Sequence, residues 1–160
     1  MKKTNFKKLL SLVLSFVLIA VVALIMTGCG DKTIKTSSDS GKTSVITPEN
    51  AEATDADGNI LIGEGEHSFI FKATDLDGKT TSFLVSTDKT VVGEALLDLG
   101  LINGEDGEYG LYVKVVNGIE LDYETHGKYW ALYVNGEYSM SGVDTTDIEN
   151  GATYELRPEK

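Results

Sequence analysis

Cysteine is all but missing: Cys29 is the only one in 160 residues. An intrachain disulfide and a thiolate metal site are therefore excluded, and the fold must be held by packing alone. Histidine is scarce as well, with only His67 and His126. Catalytic patterns are absent: there is no G-x-S-x-G elbow, no H-E-x-x-H and no phosphate-binding glycine loop. Carboxylates are abundant, but the sequence singles out no pair for acid–base work. The expectation is that the chain is not an enzyme. Basic residues are few, 14 Lys plus Arg against 25 Asp plus Glu. No internal repeat is visible.

What is present begins with the first thirty residues. Lys2, Lys3, Lys7 and Lys8 open the chain with no acid among them. An apolar run over residues 9–26 follows, interrupted only by Ser11 and Ser15. Positive charge holds the start on the cytoplasmic side while the apolar part enters the bilayer. The run ends in Met26-Thr27-Gly28-Cys29, which resembles a lipobox. That resemblance implies a signal peptide over residues 1–28, cleaved so that Cys29 becomes a lipid-bearing N-terminus. The alternative is an uncleaved membrane anchor, since the run is about long enough to span a thin hydrocarbon core. Either way the remainder is expected at the extracytoplasmic face of the cell membrane, and the lipid bilayer is the first expected partner.

Loss of the four leader lysines changes the balance to 14 − 4 = 10 basic against 25 acidic residues, a formal −15. Such acidity excludes nucleic acid as a natural partner and leaves cations or neutral ligands. Residues 29–64 are polar, with few large apolar side chains. They read as a lipid-anchored tether, unable to bury enough surface to offset backbone ordering. Residues 65–160 are long enough for one modest core, expected to be monomeric.

Period-two alternation places Phe69, Phe71 and Ala73 on one strand face, and Asp77-Gly78 is a hairpin turn leading to Thr81, Phe83 and Val85. Asp88 or Thr90 is positioned to cap a helix running through Leu99, with Gly100 as its left-handed terminator. Strands follow: Leu111, Val113 and Val115 alternate, then Asn117-Gly118 turns into Ile119 and Leu121. The aromatic run 129–134 closes at Asn135-Gly136 and continues through Tyr138 and Met140, and Asn150-Gly151 precedes a last strand. A hairpin, one helix and further strands in a mixed sheet predict an α+β domain of β-grasp type. Alternation sends Trp130 and Leu132 to one face, the expected core, and Tyr129, Ala131 and Tyr133 to the other, the expected recognition surface.

The run from Tyr129 to Tyr138, Tyr-Trp-Ala-Leu-Tyr-Val-Asn-Gly-Glu-Tyr, resembles the signature of transcobalamin-like C-terminal domains of Gram-positive lipoproteins. The residues around Gly142, the closing turn 148–154 and the helix opening 90–96 fit the same pattern. The resemblance implies a soluble-ligand-binding β-grasp module, with cobalamin as ligand and Tyr129, Trp130, Tyr133, Gly136 and Tyr138 as contact candidates. In the animal carriers of that family a helical barrel holds the other side of the corrin. This chain has no such barrel, so a corrinoid or envelope receptor protein would have to complete the site.

Two further constellations stand in the sequence. Asp55, Asp57 and Asn59, with Glu66 at the twelfth position, resemble a calcium loop. Ile60 stands where that loop wants glycine, and no helices flank it, so a plain turn is the competing reading. His67 and His126 could pair on a transition metal, but unrelated surface roles are expected. The leading functional expectation is a membrane-anchored ligand-binding module, and the alternative is a cell-envelope interaction or adhesion module.

Overall fold

The computed structural model describes residues 44–160. The expected signal peptide and the lipidation site Cys29 lie outside the described residues. Gly41–Lys160 make one compact unit, whose core draws only on residues 46–156.

Strands β1 (Ile60–Gly63), β2 (His67–Thr74) and β3 (Thr80–Thr87) come first, then helix α1 (Val92–Asp98). Strands β4 (Ile102–Gly107), β5 (Gly110–Val116) and β6 (Ile119–Glu120) follow, then the single-turn helix α2 (Tyr123–His126). Strands β7 (Tyr129–Val134) and β8 (Glu137–Tyr138), a 3₁₀ turn at Val143–Thr145 and strand β9 (Thr153–Glu159) complete the chain. A six-stranded sheet has the order β1-β3-β2-β9-β7-β8, and β4-β5-β6 form a second, three-stranded sheet. The large sheet is mixed: β1 runs parallel to β3 and β2 parallel to β9, while the β2–β3 and β7–β9 pairs are antiparallel. The expected α+β class and mixed sheet are found.

Alternation gives the large sheet one dry face. Phe69, Phe71, Phe83, Val85, Tyr154 and Leu156 are all at most 1% exposed, packed with Val92, Ala95 and Leu96 of α1. Phe69 meets Tyr154 edge-on at 5.2 Å between ring centres, while Phe71 and Phe83 stack at 5.9 Å. The phenol of Tyr154 is satisfied inside, donating to the carbonyl of Asp147 and accepting from the amide of Glu149. Its burial raises its pKa.

Three sequence expectations are corrected. Helix α1 has no side-chain N-cap: the amide of Val92 donates 2.9 Å to the carbonyl of Thr146, and Asp88 instead accepts from the amide of Glu66. The backbone of the 3₁₀ turn and the residue after it thus does the work expected of Asp88 or Thr90, and it comes close enough to require Gly93. A Cβ there would lie 2.9 Å from the Val143 carbonyl. At the other end Gly100, at φ 67°, terminates the helix as expected.

Residues 46–63, part of the tether expected over residues 29–64, belong to the folded unit. Strand β1 pairs with β3 from Ile60 to Gly63, and Ile60 is 3% exposed. Further back, Ile46 and Ala51 pack on the core. The amide and carbonyl of Ile46 both bond the side chain of Asn117, each at 2.9 Å. Asn50 locks this strap into a turn by accepting from the amide of Thr47 and donating to the carbonyl of Val45. Few but well-placed apolar residues, with one buried amide as partner, order a segment whose composition reads as a linker.

The third correction is the second sheet. Strand β4, Ile-Asn-Gly-Glu-Asp-Gly, has neither alternation nor β-branched residues beyond Ile102, yet pairs along β5 with a bulge at Asn103/Gly104. Close backbone approach needs a glycine there, since a Cβ on Gly104 would strike the Tyr112 carbonyl.

Candidate functional site

The aromatic strand β7 has both edges paired, with β9 along its length and with β8 through Tyr133–Tyr138 and Val134–Glu137. Asn135-Gly136 makes the tight turn, with φ of 52° and 87°. The Asn135 side chain accepts from the amide of Thr153, tying that turn to β9. Trp130 and Leu132 point into the core at 7% and 5% exposure, as the alternation requires. The Trp130 indole donates 3.3 Å to the carbonyl of Lys114 in β5, joining the large sheet to the small one.

The opposite face of β7 is less open than expected. Ala131 and Tyr133 are 2% and 9% exposed, because the Arg157 guanidinium lies 3.5 Å from the centre of the Tyr133 ring. Tyr138 packs edge-on against the same ring, and the Tyr133 hydroxyl donates 2.8 Å to Glu159. The chain's own arginine thus fills the place a ligand would take over Tyr133. Tyr129 and Tyr138 join their hydroxyls at 3.2 Å. That hydrogen bond, with burial second, raises the Tyr129 pKa.

Where β7, β8 and β5 meet, a groove of about 200 Å³ opens. Its floor and walls come from Leu111, Tyr112 and Val113 of β5, Tyr129–Leu132 of β7, Leu156 of β9, and residues 138–143. The rim segment is held by short bonds. The Ser139 amide donates to the carbonyl of Leu132, while the Ser139 hydroxyl donates to the carbonyl of Ser141 and accepts from the Ser141 amide. Met140 projects outward, 93% exposed. No lining residue carries a charge.

Of the expected contacts, the structure gathers Tyr129, Trp130 and Tyr138 at this groove and leaves out Tyr133 and Gly136. Gly136 serves the turn, with open space around it. Sequence reasoning missed Tyr112 and the 139–143 rim. The signal for Tyr112 was there in the β5 alternation, on the face opposite Leu111 and Val113, but only the small sheet's placement turns it toward β7.

The calcium-like segment is a hairpin turn. Asp55 accepts from the amides of Asp57 and Asn59 and from the Asn59 side chain, and these bonds lower its pKa. Among the described residues no three of His, Cys, Asp or Glu gather as a metal site would require, so Asp55, Asp57 and Glu66 do not converge. His67 opens β2 and His126 ends α2, where its ring accepts from the amide of Asp122.

The fold and groove define a mixed-sheet α+β domain with an uncharged aromatic cleft beside its penultimate long strand. Residues 88–156 match a family model described as a domain of unknown function, DUF4430. A crystal structure described as a "putative metal binding protein from Ruminococcus gnavus ATCC 29149" is similar at 27% identity and a TM-score of 0.56, covering 59% of this chain and 98% of that one. Haptocorrin in complex with Cbi is similar at 18% identity and a TM-score of 0.49, covering 62% of this chain. The chain spans 26% of the haptocorrin chain. No curated protein matches.

Proposed function

We propose that this chain is a ligand-binding module, exported and held at the outer membrane face by lipid on Cys29, with the groove between β5 and β7 as its binding site. One observation carries the reading. A domain with many carboxylates keeps every charge out of a cleft floored by Tyr112, Tyr129, Trp130 and Tyr138. Such a lining suits a neutral ligand with apolar edges and hydrogen-bonding groups. The groove is smaller than the roughly 300–1,000 Å³ of a pocket that encloses a drug-sized ligand. It therefore grips one edge or side group of something larger, the rest being covered by a second protein.

The resemblance of residues 129–138 to transcobalamin-like domains makes cobalamin the first ligand to test. Strand order supports the β-grasp reading. With β1 and the small sheet set aside, the remaining strands run second, first, fifth, third, fourth across the large sheet. The metal binding in the description of the Ruminococcus structure is not carried over, since the acidic groups described here do not cluster.

Cobalamin titrated into the Gly41–Lys160 unit at equilibrium, without desalting, should quench Trp130 fluorescence in a saturable way. Emission unchanged up to millimolar cobalamin would overturn independent corrinoid binding. For the anchor, the exported chain should begin at Cys29 and carry a diacylglyceryl mass on it, and a chain that still begins at Met1 without that mass would contradict lipidation. A protein-interaction module is the second reading, favoured by Tyr109 and Met140, which stand 95% and 93% exposed. Retrieval of one envelope protein with the full chain, lost on Tyr109→Ser, would support it.

A further inference from the structure

Methionine is sparse: the chain has three, and Met1 and Met26 fall in the leader. With Cys29 also outside the folded unit, Met140 holds the only sulfur atom of the domain. It does not sit in the core, where most thioethers are used as gap-fillers. It stands 93% exposed on the lip of the uncharged groove, on a turn pinned by Ser139 and Ser141. Tyr112, Tyr129 and Tyr138 line the same groove.

From this placement we propose that Met140 is an oxidation site through which peroxide weakens ligand binding at the groove. The inference rests on the binding reading above. The co-reactant is a two-electron oxidant such as hydrogen peroxide. The thioether sulfur attacks one peroxide oxygen, the O–O bond breaks, and that oxygen stays on sulfur as the sulfoxide. The remaining oxygen leaves as water, so sulfur is oxidised by two electrons and peroxide reduced by two. Exposure decides the selectivity: Trp130 is 7% exposed and shielded, whereas Met140 meets solvent almost completely. The product converts a soft apolar side chain into a polar, chiral one. On the lip of an uncharged groove lined by tyrosines, aliphatic side chains and two serines, that places a strong dipole where a bound ligand would meet an apolar thioether. Peptide methionine sulfoxide reductases reverse it, one enzyme for each epimer.

The test uses the Gly41–Lys160 unit and Nile red, a neutral dye whose emission reports an apolar site. Mild peroxide should add a single oxygen, mapped to Met140 by peptide mass. Dye affinity should then fall about fivefold, the scale of one lost thioether contact, and return after treatment with both reductases. Met140→Leu should give the same dye affinity before and after peroxide. Met140→Gln should hold the dye as weakly as the oxidised protein does. Oxygen mapped elsewhere, or a dye affinity that ignores the Met140 sulfoxide, overturns the switch while leaving the groove as a binding site. Failure of the untreated protein to hold either Nile red or cobalamin sinks the binding reading, and the switch falls with it.

Discussion

Single side chains in this domain do work that composition conceals, and Asn117 shows it best. It is 2% exposed, holds φ at 47° in the β5–β6 turn, and bonds both the amide and the carbonyl of Ile46. Asn117→Ala should destabilise by about 2–3 kcal/mol, from two broken hydrogen bonds with half-buried partners and a strained positive φ. Asn117→Gly keeps the turn and loses only the bonds, so it should cost less, about 1–2 kcal/mol. Urea unfolding of both variants checks the order, and equal losses would contradict it. The Asn-Gly pair was legible in the sequence as a turn, because few residues accept that conformation. Its second role was not legible, since the partner lies 71 residues away.

Among elements, those with a strong local period were readable and those stabilised by a neighbour were not. The β2–β3 hairpin, the apolar stripe of α1 and the aromatic β7 all follow from spacing. The face of β7 that is buried also followed, but not the closing of the other face by Arg157, which depends on the β9 register. Strand β4 and the capping of α1 by Thr146 leave no mark in their own sequence. Gly93 does, though only as an oddity in a helix. Gly93→Ala should lower stability by about 1–3 kcal/mol despite its better helix propensity, because the new methyl meets the Val143 backbone. A higher melting temperature for Gly93→Ala would show that the 3₁₀ turn yields freely.

Helix α2 gives a pH prediction. The Asp122 side chain caps it through the Glu124 and Thr125 amides and the Thr125 hydroxyl. Those bonds, the hydroxyl's first, hold its pKa below the ordinary 3.8. The ionised cap thus stabilises α2 fully above that ordinary value, and the contribution is lost as pH falls through the lower folded-state value. Amide resonances of Glu124 and Thr125 should report a transition below pH 3.8, absent in Asp122→Asn.

At the scale of the whole molecule, the acidic surface and the lack of a disulfide make packing the source of stability. Since Asp55 spends its carboxylate on its own turn, the melting temperature should be the same in calcium and in chelator. A rise with calcium would show a site that the described residues do not assemble. Removing residues 44–51 should lower the melting temperature and expose Asn117, because the strap packs Ile46 and Ala51 on the core.

The strap also sets a length. With Cys29 lipidated, as proposed, the chain between the anchor and the first described residue counts 43 − 29 = 14 residues. Fully extended, that is at most about 50 Å. A leash of that length would keep the groove within a shallow layer above the bilayer, where a membrane-bound receptor would meet it at an effective concentration far above that of a freely diffusing protein. Weak contacts along a small groove are then enough for capture, and each residue inserted before the strap should dilute that advantage.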